Sequence, residues 1–98
     1  MESKIQKEIL TYLEKEGCYV VKVVIANKSG VPDILFCKDG KFFAIEVKDK
    51  GKKKNTTRLQ EMNLEKIRSV GGSAIIADSV DDVMLLMKQY TKESIYAV

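Results

Sequence analysis

Val31-Pro32-Asp33-Ile34-Leu35-Phe36, then Asp39-Gly40, then Phe42-Phe43-Ala44-Ile45-Glu46-Val47-Lys48: these three stretches decide the fold of the chain. The outer two are rich in β-branched and aromatic residues and read as strands. Asp-Gly suits the two-residue hairpin turn, which needs positive φ at both central positions. With Asp39 and Gly40 at the centre of the turn, Cys37 faces Phe42, Leu35 faces Ala44, and Asp33 falls opposite Glu46. Side chains alternate between the faces of a strand, so Asp33, Glu46 and Lys48 share one face. A three-residue turn would shift this register by one and separate them.

Carboxylates directly opposite each other in a sheet repel by a few tenths to about 1 kcal/mol. A divalent cation between them reverses the sign, and a hard ion such as Mg²⁺ takes oxygen from one or two carboxylates while keeping its other positions for water and phosphate oxygens. The plainer alternative is a Pro-Asp turn residue at Asp33, with Glu46 and Lys48 solvated on the polar face of an edge strand. An E-x-K tripeptide alone does not choose between the two, and the counted register to Asp33 favours the first.

The flanking segments place these strands. Ser3 followed by Gln6 gives a capping box, Ile5, Ile9, Tyr12 and Leu13 recur at helical spacing, and Gly17 marks the stop. Glu8 lies beside that apolar stripe, either as an exposed helical glutamate or within reach of the sheet rim. Cys18 to Ile25 reads as a first strand, so apolar that both faces are expected to be covered. Residues 26–30 form a loop into the hairpin. Downstream, Asn55-Thr56-Thr57 offers caps to a second helix with Leu59, Met62, Ile67 and Val70 inward, stopped by Gly71-Gly72. Gln60 stands three residues after Thr57, the spacing of a capping box, so its residue type has a structural reading of its own. Ser73 to Asp78 is a buried strand, and Ser79 caps a third helix presenting Val80, Val83, Met84, Met87 and Tyr90. The tail Ile95-Tyr96-Ala97-Val98 is apolar enough to pack on the domain or on a partner. The order is α, β, β, β, α, β, α: an α/β fold in one domain spanning residues 1–98.

Ninety-eight residues with 45% apolar content are enough for one core, with a large surface for the volume. The chain has no histidine, which excludes histidine-assisted nucleophilic catalysis and histidine-bound zinc. Cys18 and Cys37 lack metal-site or disulfide spacing and are expected in the core. No apolar run is long enough to span a membrane, and a cytoplasmic location is the matching expectation. Net charge is only +3, but Lys48, Lys50, Lys52, Lys53, Lys54 and Arg58 fall within eleven residues, opposed there by Asp49 alone. Such a run is commonly a solvated loop. Beside paired carboxylates it also suits a polyanion whose phosphates are held while one is attacked.

Val31-Pro32-Asp33 followed by Ile45-Glu46-Val47-Lys48 resembles the PD-(D/E)XK nuclease superfamily. The surroundings resemble its small VRR-NUC branch, the virus-type replication and repair nucleases, over nearly the whole chain. A leading helix with Glu8, Gly30-Val31-Pro32-Asp33, the E-x-K strand, a basic loop, a helix with Gln60, Gly71-Gly72 and the strand Ala74-Ile75-Ile76-Ala77 follow in the family's order. The resemblance implies a restriction-endonuclease-like core with a mixed four-stranded sheet flanked by helices. It implies Mg²⁺ or Mn²⁺ held by Asp33, Glu46 and the Val47 carbonyl, with Lys48 assisting the attacking water and Gln60 and Glu8 completing the site. DNA contacts by Lys50, Lys52, Lys53, Lys54 and Arg58, branched DNA such as junctions as substrate, action in viral or phage replication and repair, and a homodimer are the further expectations. Archaeal-type Holliday junction resolvases share the Asp and Glu-x-Lys core, but their usual arginine on the preceding strand is not evident in Tyr19-Val20-Val21-Lys22-Val23. A catalytically idle DNA-binding or assembly module on the same fold is the alternative from another class.

Overall fold

The computed structural model describes residues 3–96, with side chains through Tyr90. Its elements are α1 (Lys4–Lys15), β1 (Tyr19–Lys22), β2 (Ile34–Lys38), β3 (Lys41–Val47), a 3₁₀ turn (Lys53–Asn55), α2 (Arg58–Ser69), β4 (Ser73–Ala77) and α3 (Val80–Tyr96). The strands form one sheet in the order β1-β2-β3-β4, antiparallel except for the parallel β3–β4 pair. The α/β architecture and the αβββαβα order are those read from the sequence.

The central hairpin has the counted register. Cys37 pairs with Phe42, Leu35 with Ala44, and Lys38 with Lys41 across the turn. Asp39 (φ 51°) and Gly40 (φ 78°) both have positive φ, the backbone of the tight turn whose twist matches that of its strands. Alternation along β3 sends Phe43 and Ile45 to one face of the sheet and Ala44 and Glu46 to the other.

The first face carries the larger core. Ile34, Phe36, Phe43, Ile45 and Ala77 pack there against Ile9 and Leu13 of α1 and Val83, Met87 and Tyr90 of α3. Phe36 stacks on Phe43 with centroids 4.6 Å apart, and Phe43 meets Tyr90 edge-on at 5.3 Å. The second face is covered over β3, β4 and Leu35 of β2, where Leu64 and Ile67 of α2 close over Ala44, Ala74, Leu35 and Ile76. Small alanines on the strands let the helix sit close.

Several expectations are corrected. The first strand is four residues long and lies at the sheet edge, with Tyr19, Val24 and Ile25 strongly exposed. An apolar run signals strand propensity, not two covered faces, and among the described residues no fifth strand and no helix covers the outer side. In α2 the inward residue is Leu64, flanked by Gln60 and Ile67, whereas Leu59, Met62 and Val70 are 46–70% exposed. Turning Gln60 toward β3 fixes the helix's rotation, and residues 60, 64 and 67 then form the buried stripe. Met84 is exposed while Met87 is core, and Cys37 is exposed because it alternates onto the part of the face that α2 leaves bare. The terminal segment continues α3 through Tyr96; the side chains of Ile95 and Tyr96, and Ala97 and Val98 entirely, lie outside the described residues.

Gly30 ties the loop after β1 to α2. Its φ is +80°, and an added Cβ would lie 2.9 Å from the Leu59 side chain and 3.0 Å from its backbone carbon. Asn63 donates to the Ser29 carbonyl at 3.2 Å, so the segment leading to Asp33 is held against the helix that carries Gln60.

Candidate active site

Asp33 is the residue just before the first paired position of β2, and the continued register sets it opposite Glu46. Its Oδ2 accepts the Val47 N–H at 2.8 Å, and its own carbonyl accepts the Val23 N–H at 2.8 Å, so three segments converge on this residue. Glu46 is 3% exposed. Burial, then the Asp33 charge and a hydrogen bond with the Asp33 carboxyl, push its pKa up to about 8 against the weaker opposing pull of Lys48. A buried carboxyl beside a second carboxylate resists ionisation, and a cation placed between them would relieve that cost.

Lys48 and Gln60 complete a hydrogen-bonded set. The Lys48 Nζ donates to Gln60 Oε1 at 2.8 Å and stands 3.9 Å from Glu46 Oε2. Gln60 Nε2 donates to the same Glu46 oxygen at 3.2 Å. The capping box predicted for α2 is also present: Thr57 Oγ1 accepts from the Gln60 N–H at 3.1 Å, and Gln60 Oε1 accepts from the Thr57 N–H at 2.9 Å. Cap and site are therefore one arrangement, because two donors converge on Oε1 and turn the amide nitrogen toward Glu46. The sequence offered these as competing readings of Gln60, and the structure satisfies both.

Glu8 stands apart from this set. It is exposed on α1 and lines an open hollow of about 400 Å³ with Lys4, Lys50, Asp78, Ser79 and Asp81. No group of three or more potential metal-ligating side chains occurs among the described residues. Lys50, Lys52 and Lys54 are exposed along the segment between β3 and α2, and Arg58 is exposed as the first residue of α2. Lys53 is also solvent-accessible, but its ammonium lies 2.8 Å from Asp82 and 3.9 Å from Asp78. Its hydrogen bond to Asp82 raises its pKa. Burial acts to raise the Asp82 pKa, yet the bonds from Lys53 and the Asp78 N–H carry it below the usual carboxylate value. The sequence reading passed over Asp78 and Asp82. The spacing Ser79-x-x-Asp82, a cap serine with an acceptor at the third helical position, was the signal that could have found Asp82.

With this geometry in place, the chain can be set beside known proteins. The family model described as archaeal Holliday junction resolvase (Hjc) matches residues 2–96. The chain belongs to the archaeal Holliday junction resolvase family. The absence of the usual arginine from Tyr19–Lys22 does not place it outside. A solved structure named VRR_NUC domain is 28% identical, with a TM-score of 0.72, covering 91% of this chain and 96% of its own. A second, named VRR_NUC domain protein, is 20% identical with a TM-score of 0.65, covering 94% of this chain and 92% of its own, and shows the fold. No curated protein gives a significant match. The resolvase family is of the PD-(D/E)XK nuclease type, so the resemblance to VRR-NUC nucleases stands and the chain is a member of a nuclease family. No helix among the described residues is long and apolar enough to cross a membrane.

Proposed function

We propose that this chain is a divalent-metal-dependent endodeoxyribonuclease that hydrolyses phosphodiester bonds in branched DNA such as Holliday junctions, acting in replication or repair. The observation that carries the proposal is the meeting of Asp33, buried Glu46 and Lys48 at the end of the central hairpin, with Lys48 gripped by Gln60. The donor set fits a hard cation: two adjacent carboxylates, one of them held neutral by burial and by its neighbour, form a site that Mg²⁺ or Mn²⁺ would stabilise in the ionised state. Asp33, Glu46 and the Val47 carbonyl would hold the ion, and Glu8 is the proposed support for a second one. When bound, the ion supplies Lewis-acid polarisation of a phosphoryl oxygen and a hydroxide nucleophile at neutral pH.

The protein's own groups do the remaining work. The Lys48 ammonium, which donates to Gln60 Oε1, would orient the attacking water and offset negative charge as the transition state develops. Gln60 Nε2 holds one Glu46 oxygen, which fixes the rotation of that carboxylate. Lys50, Lys52, Lys54 and Arg58 are proposed to hold phosphates along the duplex arms, giving affinity without sequence reading. A two-fold symmetric junction needs two coordinated cuts, so a homodimer with two equivalent sites is the proposed active species.

The experiment is cleavage of a labelled four-way junction with Mg²⁺ or Mn²⁺, against Ca²⁺ and chelator, with a linear duplex of equal length as comparison. Metal-dependent nicking of the junction supports the reading. Binding without cleavage in every metal would instead identify an idle binding module. Light scattering of the free and DNA-bound protein decides between one chain mass and two.

A further inference from the structure

Asp82 does for the far end of the basic loop what Gln60 does for Lys48. Each is the third residue of its helix. Thr57 Oγ1 accepts the Gln60 N–H at 3.1 Å, and Ser79 Oγ accepts the Asp82 N–H at 3.3 Å. Each side chain also accepts a backbone N–H at the helix start, Gln60 Oε1 from the cap residue Thr57 itself at 2.9 Å and Asp82 Oδ2 from Asp78, one residue before Ser79, at 3.0 Å. The same oxygen also takes a loop lysine: Lys48 lies 2.8 Å from Gln60 Oε1, and Lys53 lies 2.8 Å from Asp82 Oδ2.

The loop is also fastened between those grips. The Lys48 N–H donates to the Ala77 carbonyl at 2.8 Å, and the Gly51 N–H donates to Asp78 Oδ2 at 2.9 Å. Beyond Lys53, Thr56 Oγ1 donates to the Lys53 carbonyl at 2.7 Å, one residue before the cap of α2. The path from Lys48 through β4, Asp78, Asp82, Lys53 and Thr57 to Gln60 and back to Lys48 is a closed ring of hydrogen bonds and short chain segments. Parallel pairing makes it possible, because β3 and β4 end side by side and release Lys48 and Asp78 at the same edge.

We propose that Asp78 and Asp82 are positioning residues for the nuclease reaction, clamping residues 49–57 through the Gly51 N–H and Lys53 so that the Lys48 ammonium keeps its place. This rests on the nuclease reading of Asp33, Glu46 and Lys48. It also assigns Lys53 to the clamp instead of to DNA, since an ammonium already facing two carboxylates is poorly placed to take a phosphate.

The test uses Asp82→Asn, which keeps an oxygen for the Asp78 N–H but removes the charge facing Lys53, and Lys53→Met, which breaks the same pair from the loop side. Lys53→Arg is the conservative control. Three quantities are read: single-turnover cleavage of a four-way junction with Mg²⁺, affinity for it in Ca²⁺, and the rate of tryptic cutting after Lys52 and Lys54. Asp82→Asn and Lys53→Met should each speed tryptic cutting about tenfold, because proteolysis follows the population of the opened loop. They should slow single turnover about tenfold with affinity changed by less than about threefold, as expected when a transition-state group is misplaced. The double variant should be no slower than either single one, and Lys53→Arg should retain wild-type behaviour on all three measures.

If Lys53 contacts DNA directly, Asp82→Asn should tighten binding and Lys53→Met should weaken it, with turnover at saturation unchanged; that result overturns the clamp. Unaltered tryptic cutting in both variants overturns it as well. An active wild type whose turnover is insensitive to both variants overturns the positioning role alone, whereas a wild type inert toward DNA in Mg²⁺ and Mn²⁺ overturns the nuclease reading and the positioning role together.

Discussion

Replacing Glu46 with glutamine should make the metal-free protein more stable at alkaline pH. In the folded chain the Glu46 pKa is pushed up to about 8 from an ordinary 4.5, by burial first and by Asp33 second. Between those two values the folded state keeps a proton that the unfolded chain has lost, so stability falls as pH rises through the window. The interval from 4.5 to about 8 spans about 3.5 pH units, and at about 1.36 kcal/mol per unit the ceiling is about 5 kcal/mol. Even about 2 kcal/mol would move Tm by about 8–16 °C in a domain of this size. The glutamine side chain has the shape of the protonated acid and does not titrate. Melting curves in chelator from about pH 5 to 9 should therefore converge for wild type and Glu46→Gln near the acid end, separate progressively as pH rises to about 8 and run parallel above it, with the variant melting higher. Adding Mg²⁺ or Mn²⁺ at about pH 8 should raise the wild-type Tm and leave the variant nearly unmoved. Parallel wild-type and variant curves across the whole range would refute the account of a carboxyl held neutral by burial and by Asp33.

Lys48→Ala should leave junction affinity in Ca²⁺ within about threefold while slowing cleavage by about a hundredfold or more, because the ammonium is needed chiefly in the transition state; quench-flow beside a binding titration checks this. Neutralising Lys50, Lys52 and Lys54 together should weaken binding across DNA sequences and flatten the slope of log affinity against log salt by up to about 0.9 for each phosphate no longer neutralised. Gly30→Ala should cost about 2–3 kcal/mol by denaturant melting, since it combines a left-handed backbone with a Cβ pressed on the Leu59 backbone.

The hairpin was legible because its information is local. Asp39-Gly40 fixes the turn, the turn fixes the register, and the register brings Asp33 to Glu46 without help from any other element. Gln60 was half legible: its spacing from Thr57 gave the cap, but its reach to Lys48 and Glu46 depends on how α2 is rotated over the sheet. The apolar residues of α2 did not reveal that rotation, since Leu59, Met62 and Val70 offer a stripe of their own that is left in solvent. Burial of β1 was misread for a related reason, because composition reports what a strand tolerates and not whether another layer arrives to cover it. Asp78 and Asp82 were least legible. They stand about thirty residues from the loop they hold, and parallel pairing of β3 with β4 is what brings them there.

The bare half of the second sheet face gives this protein a spectroscopic handle. The chain has two cysteines, and Cys18 is half-buried while Cys37 is exposed on β2. Strand alternation sets Cys37 on the same face as Asp33, four residues along, or about 13 Å at the rise of an extended chain. A thiol-reactive fluorophore attached there would sit outside the Lys48–Gln60 ring yet near enough for its emission to respond when a nucleic acid arrives, with no residue replaced.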